Sequence, residues 1–149
     1  MPALALYQPD IPQNLGSILR LCACMGVECH VIEPCGFVLD DRKIGRVAMD
    51  YIDHVKWQRH VSWEQFKLYA GENRSRIVLL TTKTQAHYCD FTFRQNDILL
   101  LGRESAGVPQ EVADYVDAAV TIPMAPQTRS LNIALAASMV LGEALRQIR

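Results

Sequence analysis

The sequence predicts an α/β fold with a mostly parallel sheet flanked by helices, and three observations predict it. Short apolar runs rich in β-branched residues or leucine recur along the chain, each bounded by polar or turn residues. Helical patterns lie between them, and strands that alternate with helices make a parallel sheet covered on both faces. No internal repeat, low-complexity tract or composition shift divides the 149 residues, so one domain spanning 1–149 is expected.

The runs Ala3–Tyr7, Cys29–Ile32, Ile77–Thr81, Ile98–Leu101 and Ala118–Ile122 are the expected strands. After the first, Leu15, Ile18, Leu19 and Cys22 keep the i, i+3, i+4, i+7 spacing of an amphipathic helix, with Gly26 placed to stop it. Ser62 and Gln65 have the spacing of a capping box ahead of a short helix. Pro109 suits the first turn of another helix over Gln110–Tyr115. The stretch from Leu131 to Leu145 predicts a terminal helix; Asn132, Ser138 and Glu143 interrupt it, and it is shorter than the roughly 20 residues of a membrane span.

Composition narrows the function classes. The half-apolar, modestly charged chain excludes disordered, collagenous and coiled-coil readings. A formal net charge of −1 excludes a generic polyanion binder, so a nucleic-acid partner would be gripped by a local basic patch. The N-terminus has no basic start and carries Pro9 and Asp10 early, which argues against a signal peptide and for the cytoplasm. Cys22, Cys24, Cys29 and Cys35 form no Cys-x-x-Cys pair, and the histidines at 30, 54, 60 and 87 have no metal-ligand spacing. No metal and no disulfide is expected.

Three segments carry chemistry. In the first, Ile11 to Arg20, a strand-to-helix loop runs into the first helix, and a helical wheel puts Gly16 and Arg20 opposite the apolar stripe. Glycine would let a bulky partner approach, and arginine offers a fork of donors for phosphate or ribose oxygens; a solvated surface arginine would read the same. In the second, Ile98 to Pro109, a buried strand opens into a loop with Gly102 and Gly107, without a Gly-x-Gly-x-x-Gly or Walker pattern. Gly102 allows either a ligand against backbone or an ordinary tight turn. In the third, Ile122 to Asn132, Pro123 and Pro126 stiffen a loop that enters the terminal helix near Ser130. Ser130 is the expected N-cap, and Asn132 is a local cap or a clasp on a ligand or crossing segment.

Together, in this order and spacing, the three segments resemble the motifs of the knotted SPOUT methyltransferases, in the branch that 2′-O-methylates tRNA. The stretches Tyr7–Ala23 and Ile32–Phe37, with Asp40, Asp41, Asp50, Tyr51 and Leu80 to Lys83, further resemble its minimal members, which modify the wobble nucleotide. The resemblance implies an S-adenosylmethionine-dependent enzyme without metal, a homodimer, a C-terminal trefoil knot and a tRNA substrate methylated at cytidine 34 or 5-carboxymethylaminomethyluridine 34. It implies that the donor lies against Leu80, Gly102, Ile122 and Ser130, that Arg20 and Asn14 are catalytic, and that Gly16, Glu104 and Asn132 complete the motifs. Because a guanidinium stays charged, Arg20 would orient the ribose and stabilise oxyanion charge rather than act as a base. The basic cluster Arg42, Lys43 and Arg46, with Arg129, is the expected RNA surface. The chain departs from the branch after Asn132, where Ile133, Ala134 and Leu135 are apolar. The alternatives are 2′-O-methylation elsewhere in tRNA or in ribosomal RNA, and a non-catalytic RNA-binding module.

Overall fold

The computed structural model describes residues 1–48 and 51–149, so Asp50 lies outside the described residues. Six strands, β1 (Ala3–Tyr7), β2 (Cys29–Ile32), β3 (Trp57–His60), β4 (Arg76–Leu80), β5 (Asp97–Leu101) and β6 (Ala118–Val120), pair in the order β3-β2-β1-β5-β4-β6. Every pairing between them is parallel. Five helices connect or cover the strands: α1 (Pro12–Met25), α2 (Asp41–Val47), α3 (Trp63–Glu72), α4 (Gln110–Tyr115) and α5 (Ile133–Ile148).

Alternation along the central strands divides the core in two. Leu4, Leu6, Leu99 and Leu101 join Leu15, Ile18, Leu19 and Cys22 of α1 and Val140, Leu141 and Ala144 of α5. Ala5, Tyr7, Ile98 and Leu100 join Trp63 and Phe66 of α3 and Val112 of α4. Each side chain of β1 and β5 thus finds a covered face, which is why these strands read as unbroken apolar runs. Cys22 and Cys29 are fully buried in the first of these layers, as small apolar residues.

The structure corrects several boundaries. β3 is an unexpected edge strand: Gln58 and Arg59 face solvent and only His60 is buried, so it lacks the apolar run that marks an inner strand. β4 and β5 each begin one residue early, because Arg76 and Asp97 are ladder partners joined by a two-point ion pair at 2.8 and 2.7 Å. β6 ends at Val120 rather than Ile122; beyond it, Thr121 turns to the 86–88 segment through bonds with Ala86 and Tyr88. α1 stops at Gly26 as expected, at φ 69. Gly16, however, is buried while Arg20 is exposed, so the two do not share an open face; α1 packs against α2 and α5 as well as the sheet. Ser62 caps α3 by accepting from the Gln65 N–H, and Pro109 sits at the cap of α4, just before its first turn. The N-cap of α5 is Asn132, not Ser130.

Two histidines are buried between β2, β3 and α3. His30 Nδ1 and His60 Nε2 lie 3.0 Å apart, so at most one proton fits between them. The rings of Phe66 and Tyr69 pack against both. Glu28 approaches His30 Nε2 at 3.9 Å from a half-exposed position. Burial is the main cause that lowers His30 from 6.5 to about 4, with the neighbouring His60 second, and burial also lowers His60. The folded state therefore holds both rings neutral, while the unfolded chain takes up protons below 6.5. Stability should fall as pH drops from 6.5 towards about 4, by on the order of 3 kcal/mol from His30. Denaturant unfolding across that range checks this, and a His30→Leu/His60→Leu double variant should flatten the slope; an equally steep variant would remove the pair as its cause.

Candidate active site

The order of strands reverses direction at β1, whose neighbours are β2 on one side and β5 on the other. Loops leaving the carboxyl ends on either side of such a switch diverge and open a crevice. Here the crevice is a cavity of about 830 Å³. Its floor includes Leu80 at the end of β4 and Leu101 at the end of β5, and its walls include Gly102, Glu104, Ile122, Ser130 and Asn132. Asn14 of α1 closes one side. All four residues expected to hold the donor, with Asn14, Glu104 and Asn132, thus meet around one cavity. Arg20, Gly16, Arg42, Lys43, Arg46 and Arg129 are not among its lining residues. Arg20 lies on the exposed side of α1 with its guanidinium 5.1 Å from the centre of the Tyr51 ring. Arg42, Lys43 and Arg46 are exposed on α2, and Arg129 is exposed beside Ser130.

The wall at β5 is built by close backbone approach. Arg103 and Gly107 exchange both backbone hydrogen bonds, at 2.9 and 2.8 Å, which folds the loop back on itself. A Cβ on Gly102 would lie 2.8 Å from the Gly107 backbone, so glycine is needed there for the turn as well as for an open wall. From this loop Glu104 reaches the segment ahead of α1. Its Oε2 accepts from the N–H groups of Asp10 and Ile11 at 2.9 and 3.1 Å. Its other carboxyl oxygen, Oε1, and Asp10 Oδ1 are buried with no hydrogen-bond partner among the described residues. Burial first and then Asp10 push the Glu104 carboxyl up, while the neighbouring Glu104 and the hydroxyl of Ser105 hold Asp10 below the usual range. A proton held on Glu104 would let its free oxygen donate to the free oxygen of Asp10 and satisfy both. Ser105 Oγ also donates to Asp10 Oδ2. On the far side, Gly36 donates its N–H to Pro9 O at 2.9 Å, and a Cβ there would strike Asp10. That explains a glycine in the segment after β2.

The wall at α5 is fixed by Asn132. Its Oδ1 accepts from the N–H groups of Ala134 and Leu135, so its Nδ2 must be the group that donates to Asn14 Oδ1, at 3.1 Å. Both readings of Asn132 hold: it is a helix cap and a clasp on the crossing α1. Asn14 is thereby oriented too, and among the described residues its amide NH₂ has no protein acceptor. Sequence reasoning named Asn132 but not its partner, because 118 residues separate the two. Asp10 was missed altogether; an acid ahead of a helix start is common, and nothing local shows that Glu104 meets it. Among the described residues, no group of three or more His, Cys, Asp or Glu side chains is arranged for a metal ion, and no helix is long and apolar enough to cross a membrane.

Glu104→Gln should preserve this junction, since an amide still donates to Asp10 and still accepts from the two backbone N–H groups. Glu104→Ala strands those donors and should cost about 1–3 kcal/mol in denaturant unfolding; equal loss in both variants would contradict the shared proton.

The comparisons agree with this architecture. A protein of Beijerinckia indica named tRNA (cytidine(34)-2′-O)-methyltransferase is 60% identical over 145 residues, covering 97% of this chain and 91% of the relative. The Escherichia coli K12 protein of that name is 38% identical over 147 residues, covering 97% and 92%. A solved structure described as giving insight into 2-OH methylation of C/U34 on tRNA superposes with a TM-score of 0.91 at 39% identity, covering 99% of this chain and 95% of that one. The SpoU methyltransferase AviRb of Streptomyces viridochromogenes, solved with the cofactor AdoMet, gives 0.88 at 28% identity, covering 99% and 60%. The SpoU rRNA Methylase family matches residues 1–142, and the chain belongs to that family.

Proposed function

We propose that residues 1–149 act as one catalytic domain that transfers a methyl group from S-adenosylmethionine to the ribose 2′-hydroxyl of the tRNA wobble nucleotide, in the cytoplasm. One observation carries the reading: a single cavity gathers the expected donor residues Leu80, Gly102, Ile122 and Ser130 together with Asn14, Glu104 and Asn132. Relatives at 60% and 38% identity over nearly the whole chain bear the matching name and support position 34 as the target.

The cavity fits the donor. Its volume of about 830 Å³ falls within the roughly 300–1,000 Å³ of cofactor pockets. Apolar side chains of Leu101, Ile122 and Ile133 suit a flat ring system, and Thr81, Asn14 and Ser130 add polar contacts. When bound, S-adenosylmethionine supplies a methyl group activated by a positive sulfur. What remains for the chain is alignment of the ribose oxygen, a positional task. Asn14, oriented by Asn132, offers its NH₂ to a ribose oxygen. Arg20, exposed on α1 and outside the cavity lining, would meet the ribose from the RNA side and stabilise the charge that develops on the oxygen.

The homodimer belongs to this reading. Leu135 and Met139 are exposed one turn apart on α5, and Leu131 is exposed just ahead of its Asn132 cap, an apolar patch beside a helix that packs against α1. A second copy seated there would lie against the helix that bears Arg20. The trefoil knot is inferred too, supported by the contacts of Thr121 with the 86–88 segment and of Asn132 with α1. Arg42, Lys43 and Arg46 form the proposed RNA surface, with Arg129 beside the cavity mouth.

Arg20→Ala should lower turnover by a factor of about 10²–10³ or more while calorimetry shows S-adenosylmethionine binding unchanged; an active variant would remove Arg20 from the reaction. Leu135→Asp should convert a dimer to a monomer in sedimentation, and an unaffected dimer would place the interface elsewhere. Neutralising Arg42, Lys43 and Arg46 together should weaken tRNA binding and flatten its salt dependence; unchanged affinity refutes the patch.

A further inference from the structure

The arginines that bind within the fold mostly do so through a carboxylate: Arg76 through Asp97, Arg59 through Glu33 and Arg146 through Glu143. Arg103 differs. It is half-buried in the cavity wall, and none of the ion pairs formed by the described residues includes it.

Its guanidinium is nevertheless held in place. It lies over the Tyr7 ring, 5.4 Å from the centroid. Nε donates to Gly107 O at 3.3 Å and Nη1 to Gln8 Oε1 at 3.4 Å, both neutral acceptors. Gln8 itself adopts φ 43, in the left-handed region that non-glycine residues rarely enter, directly after β1. The Arg103 loop is pinned by its bonds to Gly107 and by the Glu104 contact with Asp10 and Ile11. Of the five N–H donors of a guanidinium, the two on Nη2 and one on Nη1 keep no acceptor among the described residues. The result is a fixed fork of donors, with uncompensated positive charge, on the wall of the cavity.

We propose that Arg103 is an oxyanion-binding residue of this site, a role that rests on the methyltransferase reading above. Its fork suits two-point binding of a group with paired anionic oxygens. Two such groups come with the reaction: a phosphate of the RNA strand flanking the target ribose, and the carboxylate at the amino-acid end of the donor. Stacking on Tyr7 and the bond to Gln8 hold the fork ready, so little ordering remains when the anion arrives.

The test uses full-length wild type, Arg103→Gln and Arg103→Lys, each checked for a retained melting temperature. Affinity is measured for S-adenosylmethionine and for 5′-methylthioadenosine, which lacks the amino-acid end, and for tRNA over a series of salt concentrations. Arg103→Gln should weaken one oxyanion-bearing ligand by roughly 10- to 100-fold, with Arg103→Lys recovering only part. A loss for tRNA, with a salt slope shallower by about 1, identifies the phosphate. A loss for S-adenosylmethionine but not for 5′-methylthioadenosine identifies the carboxylate. Unchanged affinity for both ligands in Arg103→Gln overturns the proposal. Wild-type turnover separates the two levels: a wild type inactive on tRNA refutes wobble methylation, whereas an active one with these affinities unaltered in Arg103→Gln refutes Arg103 alone.

Discussion

The site depends on the junction where two distant loops grip the first turn of α1. Glu104 holds the N–H groups of Asp10 and Ile11, and Asn132 holds the side chain of Asn14. α1 has no side-chain cap of its own at Ile11, so its orphan N-terminal groups draw on the rest of the chain. The cavity closes because β5, α5 and α1 are joined at this point. Burial and the nearby Asp10 push the Glu104 carboxyl up, and a proton held there would let two acids meet where two negative charges would repel.

The economy of polar groups follows from that junction. Gly102 and Gly36 permit the backbone approaches that bring the loops together, and neither Asp10 nor Glu104 forms an ion pair with Arg103. A half-buried guanidinium without a carboxylate stands in contrast to Arg76, which is fully neutralised by Asp97 at the other end of the strands. The sheet thus carries a satisfied charge pair where β4 and β5 begin and an unsatisfied cation where β1 and β5 end, the end where ligands bind in open parallel sheets.

Much of this was legible in the sequence. β1 and β2 matched their apolar runs to the residue, because inner parallel strands bury every side chain. β3 was not legible, since an edge strand with one buried residue has no such signature. α2 was read only as a basic cluster, although Asp40 caps it through the Arg42 N–H and Ile44 anchors it. Ser130 was read as the cap of α5 because both Ser130 and Asn132 are good caps, and the helix start at Ile133, where Asn132 Oδ1 accepts from the Ala134 and Leu135 N–H groups, decides between them. Gly16 read as exposed because a helical wheel counts one buried face, whereas α1 is covered on more than one side. The motif residues were recognised through their resemblance to a family, but the pairings that make them a site, Glu104 with Asp10 and Asn132 with Asn14, join residues about a hundred positions apart. No local pattern encodes them.

On the proposed function, this cavity delivers a methyl group to one ribose. Incubating the purified protein with unmodified tRNA and S-adenosylmethionine, then locating the new methyl group by nuclease mapping and mass spectrometry, tests it most directly. The expected product is a 2′-O-methylated nucleoside at position 34. A methyl group on a base, or on a ribose elsewhere in the tRNA, would contradict it.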